Sequence, residues 1–420
     1  MIKAITGTKD ILPSDIIKWR FLEELVRKQF SIFGYKEIRT PIFEETALFA
    51  RGIGEATDIV SKEMYTFIDR SETSLTLKPE MTACVVRSFL EHSLGKQQVL
   101  NKLFYISPMF RQERPQAGRF RQFHQFGAEA IGSNDPALDA EMIIMSYDIL
   151  RGLGLKNLIV KINSLGVPKS RESYKKILRE YFADKLDQLS EESKKRVETN
   201  IMRVLDSKDE RDIKVVENAP MLIEHLDDES LQHFEKVKGL LLAAGISFEL
   251  DPKLVRGLDY YTHTTFEVVS GSVGAQSALL GGGRYDNLIE ELGGKSTPGV
   301  GFAAGMERIL LACENEGSLT LPEESIDAYF VSLDKEISHK VYELSLLFRR
   351  KGLAIELDYA SRSVKAQMRE ANKMNARFVL FIGGEEFNQD QIRIKNMQTG
   401  DEQNVSITNV EQITNMLRGN

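Results

Sequence analysis

The chain is poor in the residues that build the commonest reactive sites. Its 420 residues hold only two cysteines, Cys84 and Cys313. Each lies in an apolar helical run, so neither a disulfide framework nor a cysteine-rich zinc site can be built, and both read as buried free thiols. The six histidines do not cluster at metal-ligand spacing. No Ser-His-Asp order carries an elbow glycine pattern. A P-loop Lys-Ser/Thr is missing, and Gly299, Gly301 and Gly305 do not match the dinucleotide fingerprint. No apolar run reaches the length of a bilayer span, and the start MIKAITGTKDILP lacks the basic-then-apolar pattern of a signal peptide. A cytoplasmic protein with no membrane partner is expected. A net charge of −7 creates no global field toward nucleic acid. It argues against a polybasic binding mode and leaves local basic patches open.

What is present fits a soluble globular protein, with 42% hydrophobic and 28% charged residues. The length suggests two or three domains. Residues 14–34 read as an amphipathic helix stopped by Gly34. An extended segment 35–43 is interrupted by Pro41, and a strand pair covers about 62–78. Pro79 is expected to open a helix to about residue 94 from its favoured first-turn position. Another helix is expected at 136–152. From about 167 to 245 the chain is rich in Lys, Glu and Asp and patterned for helices, and it reads as a mainly helical insertion. Strands and glycines return over 249–310, a linker follows at 319–325, and residues 326–420 read as a compact α/β domain. Its strands are expected at IDAYFVSL, LAIELDY, ARFVLFIG and QIRIKNM.

Residues 102–131, KLFYISPMFRQERPQAGRFRQFHQFGAEAI, are the most informative stretch. Two runs of period-2 alternation flank a polar loop, which reads as an antiparallel hairpin. On the returning strand Arg121, Phe123, Gln125, Gly127 and Glu129 share one face. A cation, an aromatic plane, an amide, a gap and a carboxylate make a poor core and a good pocket for a nucleotide beside a small polar molecule. The opposite face, ending in Phe126, Ala128 and Ala130, is suited to packing. Further along, Arg256-Gly-Leu-Asp-Tyr-Tyr261 reads as a strand in which Gly257 permits close approach of a ligand. As strand neighbours, Tyr260 and Tyr261 would project to opposite faces. Glycines 281–283 precede Arg284, and Pro298–Leu311 reads as a strand entering a helix near Gly305. Arg308 in that first turn opposes the helix dipole, a local cost that points to an anionic ligand. A site made of arginines, glutamates and glycines suits phosphoryl or nucleotidyl transfer, where positioning and electrostatics do most of the work.

Taken together these segments resemble the class II aminoacyl-tRNA synthetases, and closely the histidyl-tRNA synthetase family, over nearly the whole chain. GTKDILP is similar to that family's start. YKEIRTPIFEETALFARGIGEATDIVSKEMYTF resembles class II motif 1, which builds a dimer interface. FRQERPQAGRFRQFHQFGAE is similar to motif 2, GVGFAAGMERIL to motif 3, LVRGLDYY to the histidine-specific signature and LKPEMT to a Pro-Glu-x-Thr element. The resemblance implies an α+β fold over residues 1–325, with the class II antiparallel sheet, flanking helices and the helical insertion. An anticodon-binding α/β domain would follow at 326–420. It implies ATP as substrate, Mg²⁺, L-histidine, tRNA(His) and a homodimer. Arg111 would hold the α-phosphate. Glu113 would lie near the outer phosphates and their Mg²⁺, with Arg119 and Arg308 on the same phosphates, and Phe123 would stack on adenine. Glu80, Thr82 and Gln125 would hold the histidine amino group. Glu129 and Tyr261 would take the two imidazole nitrogens, with Tyr260 beside them. Arg256 would offset charge at the carboxylate and α-phosphate, and Arg114 and Gln116 would meet tRNA.

The chemistry agrees with that set. A neutral imidazole has one donor and one acceptor nitrogen, and a site built to read both rejects analogues that leave its own groups unpaired. The competing reading is a non-catalytic paralogue acting as regulatory subunit of ATP phosphoribosyltransferase. Such a protein generally lacks the C-terminal domain and loses nucleotide-binding residues, both of which this sequence has. A generic RNA-binding module leaves the amino-acid pocket unexplained.

Overall fold

The computed structural model describes residues 2–54, 57, 59–116, 118–255, 258–274 and 278–419. The chain divides into two compact units, Met1–Thr320 and Leu321–Asn420.

Among the described residues of the first unit eleven strands run in chain order: β1 Lys36–Glu37, β2 Phe43–Glu45, β3 Tyr65–Ile68, β4 Ser74–Leu77, β5 Asn101–Phe110, β6 Gln122–Ile131, β7 Leu158–Ser164, β8 Phe248–Leu250, β9 Thr262–Ser270, β10 Ala278–Arg284 and β11 Gly299–Gly305. Eight of them form one sheet in the order β1-β5-β6-β11-β10-β9-β7-β8, and β2, β4 and β3 form a second. The expected antiparallel sheet is therefore mixed. Its inner six strands pair antiparallel, whereas β1 on β5 and β8 on β7 run parallel. Topology explains the difference. A parallel neighbour needs a long crossover, and the β7–β8 crossover is the 167–245 insertion, whose described elements are all helical.

One face of the large sheet is packed. Helix Pro13–Ile32 begins with proline in its first turn and buries Trp19, Leu22, Val26 and Phe30 along one stripe. Phe30 stacks on Phe104 of β5 at a centroid separation of 4.7 Å. Phe126, Ala128 and Ala130 of β6 join this core, as expected, together with helices Pro136–Gly152 and Asp228–Ala243. Full burial of each large apolar side chain contributes roughly 1.5–3 kcal/mol. The opposite sheet face, with Tyr105 and Met109, meets helix Thr82–Glu91, Tyr260, Tyr261 and the apolar centre of the insertion in a second core.

Two local expectations fail. The helix expected from Pro79 begins at Thr82. Glu80 lies outside it and its carboxylate accepts from the backbone N–H of Thr82 and Ala83 at 2.7 and 2.9 Å, closing the exposed first turn as a cap does. The Arg256–Tyr261 segment is not a strand where described: Leu258–Tyr261 is a turn ahead of β9. Alternation therefore does not separate its tyrosines, whose rings lie 4.7 Å apart. Gly281–Gly283 lie within β10.

The second unit carries β12 Ala328–Ser332, β13 Ile355–Leu357, β14 Phe378–Ile382, β15 Gln391–Asn396 and β16 Glu402–Ser406, in sheet order β13-β12-β14-β15-β16. Along β12, Ala328 and Phe330 enter one core and Tyr329 and Val331 the other. Burial on both faces is why this strand reads as a continuous apolar run. No strand is expected from the residues of β16, because it is an edge strand with only Val405 buried. Among the described residues no helix is long and apolar enough to cross a membrane.

Candidate active site

The hairpin strands β5 and β6 pair from Asn101↔Ile131 to Phe110↔Gln122. Part of the face that meets the second core forms one wall of a cleft of about 300 Å³. Phe123 and Gln125 line it, together with Glu80 and Thr82 at the start of helix Thr82–Glu91. Glu113 and Arg119 come from the hairpin loop, Tyr260 and Tyr261 from the turn before β9, and Arg308 from the first turn of helix Met306–Glu316.

Three arginines converge at one part of the cleft. Burial lowers the pKa of Arg308, and Arg119 and Arg111 lower it further from close by. Arg119 pairs with Glu113 at 3.2 Å, and Arg308 donates to the Ala278 carbonyl at 3.0 Å. Burial also lowers Arg111, while Glu113, Glu63 and Glu80 oppose that. Arg111 thus has carboxylates of both cleft regions around it. Its Nε donates to the Pro79 carbonyl at 2.9 Å, and its guanidinium lies 5.2 Å from the Phe123 ring centroid. Like charges held this close in a partly desolvated cleft favour a multiply charged anion.

The other part of the cleft is hydroxyl- and amide-rich. Gln125 Oε1 and Tyr105 Oη are buried, line the cleft and have no hydrogen-bond partner among the described residues. Tyr105 stands opposite Gly127 in the ladder, where a Cβ on Gly127 would lie 2.4 Å from its hydroxyl. The gap on the hairpin face is therefore the space Tyr105 fills. Burial raises the hydroxyl pKa of both Tyr105 and Tyr260, keeping them neutral donors. Burial likewise raises Glu80, with its two backbone hydrogen bonds pulling the other way.

Glu129 lies behind the wall rather than on it. It has no exposed surface and is not among the residues lining the cleft. Thr82 Oγ1 donates to one oxygen at 2.8 Å and Tyr285 Oη to the other at 2.6 Å. Burial pushes its pKa up to about 8 despite those bonds. It connects to the cleft through Thr82.

The structure thus gathers Glu80, Thr82, Arg111, Glu113, Arg119, Phe123, Gln125, Tyr260, Tyr261 and Arg308 in one cleft. Arg114 and Gln116 are exposed on the hairpin loop instead. Arg256 and Gly257 lie outside the described residues. Tyr105 and Tyr285 are the site residues missing from the sequence reading. Their signals, pairing opposite Gly127 and adjacency to Arg284 after the glycine tract, acquire meaning only with the sheet register. Among the described residues no group of three or more His, Cys, Asp or Glu side chains could hold a metal.

A family model described as histidyl-tRNA synthetase matches residues 7–309, and one described as anticodon binding domain matches residues 327–415. A histidine–tRNA ligase of Halothermothrix orenii is 48% identical over 409 residues, covering 97% of this chain and 98% of the relative. That of Desulforamulus reducens is 50% identical over 402 residues, 96% of each. The apo crystal structure of the S. aureus histidyl-tRNA synthetase superposes with a TM-score of 0.83 at 39% identity, over 99% of this chain and 100% of that one.

Proposed function

Since the chain belongs to the histidyl-tRNA synthetase family, we propose that the cleft under the hairpin is where it activates histidine with ATP. The protein is an aminoacyl-tRNA ligase, a histidine–tRNA ligase, with histidine, ATP and tRNA as substrates. The observation that carries the site assignment is the pairing of opposites within one cleft. Three crowded arginines stand at one part, and two buried, unpartnered polar atoms, Gln125 Oε1 and Tyr105 Oη, stand at the other. An unpaired buried acceptor is costly to leave empty, and an α-ammonium group supplies the donor it lacks.

In this reading the histidine carboxylate oxygen attacks the α-phosphorus in line. The P–O bond to pyrophosphate breaks, and histidyl-adenylate forms. Arg111 neutralises the charge that grows on the α-phosphoryl oxygens, while Arg119 and Arg308 hold the leaving phosphates. Phe123 offers its ring to adenine. Glu80, Thr82 and Gln125 hold the amino group and Tyr260 and Tyr261 face the imidazole, while Glu129 acts on that ring from behind the wall, through Thr82. Arg256, assigned from its motif alone, would offset charge between carboxylate and α-phosphate. The adenylate then passes its acyl group to the terminal ribose hydroxyl of tRNA(His) and AMP leaves. Arg114 and Gln116, exposed on the hairpin loop, are placed in this reading against that tRNA.

Glu113 is the carboxylate that would meet Mg²⁺. The site fits such an ion only as a partial shell, which is how Mg²⁺ is commonly held, with substrate phosphates and water supplying the other oxygens. The ion would neutralise phosphate charge. A homodimer belongs to the same reading. Phe43 and Phe67 on the small sheet are exposed and in ring contact, which supports a face covered by a second copy. The cytoplasm is the expected place of action.

The deciding experiment is exchange of labelled pyrophosphate into ATP across a panel of amino acids. Histidine alone should stimulate it. Exchange that ignores histidine, or that another amino acid drives equally well, would overturn the assignment.

A further inference from the structure

The helical insertion meets the cleft wall from behind at the turn that carries Tyr260 and Tyr261. Helix Pro168–Ala183 presents Arg171, whose Nη1 donates to the backbone carbonyl of Tyr261 at 2.7 Å and more weakly to that of Asp259 at 3.4 Å. A second contact comes from Asn200, which donates through Nδ2 to Asp259 Oδ1 at 3.0 Å. On the far side the Asp259 N–H donates to the Ile53 carbonyl at 3.2 Å. Its other carboxylate oxygen lies 2.8 Å from where a Cβ on Gly54 would be, so this flank has no slack. Just downstream, His263 exchanges backbone hydrogen bonds with Leu165 and Gly166 at the root of the insertion. His263 sits at φ +43°, a left-handed conformation that a non-glycine residue holds only when its surroundings fix it.

The residues clamped in this way are the ones whose side chains face the cleft. Tyr260 and Tyr261 line it with their rings, while the insertion holds their backbone. The apolar centre of the insertion, including Tyr174, Leu178 and Phe182, is continuous with the core beneath both tyrosines. Arg171 is half-buried there. Burial lowers its pKa, and Asp259, Glu291 and Glu172 partly offset that. A charged group drawn partly out of water to serve a backbone carbonyl is a poor way merely to hold a helix against a turn. It is a good way to fix one carbonyl in one place, because its planar fork has a set geometry.

We infer that Arg171 is a positioning residue: it fixes the turn carrying Tyr260 and Tyr261, so that the insertion sets the fit of histidine without touching it. The inference rests on the reading that these tyrosines face the amino acid. Misplacing contact groups by about an ångström is enough to lower an enzyme's efficiency by orders of magnitude. The arginine-lined part of the cleft has no contact with Arg171 on this path and should not respond.

The test compares Arg171→Met, Arg171→Lys and Asn200→Ala by pyrophosphate exchange, with separate KM values for histidine and ATP and a thermal melt of each variant. Arg171→Met keeps the stem and removes the fork; it should raise the histidine KM about tenfold or more and leave the ATP KM within about twofold. Arg171→Lys should recover part of the loss. Asn200→Ala, which removes only the bond to Asp259, should move the histidine KM the same way by a smaller factor, about threefold. It carries the test alone if Arg171→Met does not fold. An unchanged histidine KM, or equal rises for both substrates, in variants that melt like the parent would overturn the inference. The two ideas fail differently. If the histidine reading is wrong the parent protein shows no histidine-dependent exchange, whereas a failure of positioning leaves the parent's exchange intact.

Discussion

Glu129 shows how one buried residue ties chemistry to stability. Its carboxyl has no exposed surface and its pKa is pushed up to about 8, chiefly by burial. The folded chain therefore keeps a proton that the unfolded chain releases above the ordinary carboxylate range. Stability should fall as pH rises from about 5 to about 8, by on the order of 4 kcal/mol for this group alone. Glu129→Gln removes the titration while keeping the shape. Denaturant unfolding of the two proteins at pH 5, 6.5 and 8 checks this. The parent should lose stability across the series, and Glu129→Gln should lose markedly less. Equal slopes would show that Glu129 is already ionised in the fold. The same residue marks the limit of what the sequence reveals. Its place on a face with Phe123 and Gln125 follows from period-2 spacing. Its partners do not, because Tyr285 comes from beyond the glycine tract and Thr82 from another helix. Gly301 has the same lesson. It lies in a strand, as the spacing leads one to expect, but its purpose is not legible there: a Cβ would sit 1.8 Å from Glu129 Oε2, so it makes room for the carboxylate.

At the level of elements, the hairpin and the long helices were legible because each carries a strong local period and clear punctuation, such as the Asp135-Pro136 start of helix Pro136–Gly152. The turn at Leu258–Tyr261 was not, since tertiary bonds from Arg171 and Asn200 set it and local preference does not. One link between elements is a fully buried ion pair between Arg284 of β10 and Asp139 of helix Pro136–Gly152. Burial alone would raise the pKa of Asp139, yet Arg284 and His233 hold it below its ordinary value. His233 belongs to helix Asp228–Ala243, and its ring nitrogen lies 3.2 Å from Asp139. Three elements therefore share one carboxylate. Asp139→Asn leaves buried Arg284 with only the more exposed Asp286, at 3.3 Å, as counter-charge and should cost about 3–5 kcal/mol. Urea unfolding of the variant at pH 7 measures it; a loss below about 1 kcal/mol would mean that water or Asp286 takes over the charge.

For the whole molecule, the informative feature is that each unit closes its own core. The first unit buries both faces of its large sheet within Met1–Thr320, and the second covers both faces of a five-stranded sheet within Leu321–Asn420. Residues 318–326 between them carry no helix or strand, and boundaries of this kind are where chains can be cut without exposing a core. The residues assigned to histidine and ATP all fall in the first unit, and the anticodon-binding match falls in the second. A protein ending at Thr320 should therefore fold, melt cooperatively and support histidine-dependent pyrophosphate exchange within about threefold of the full chain. Charging of tRNA(His) should fall at least about tenfold through KM for tRNA, because linked binding modules lose far more than their own contacts when one is removed. Parallel exchange and charging assays on the two lengths decide it. Charging at the full rate would detach the second unit from tRNA recognition. Loss of exchange in a folded truncation would mean that the cleft needs the second unit to form.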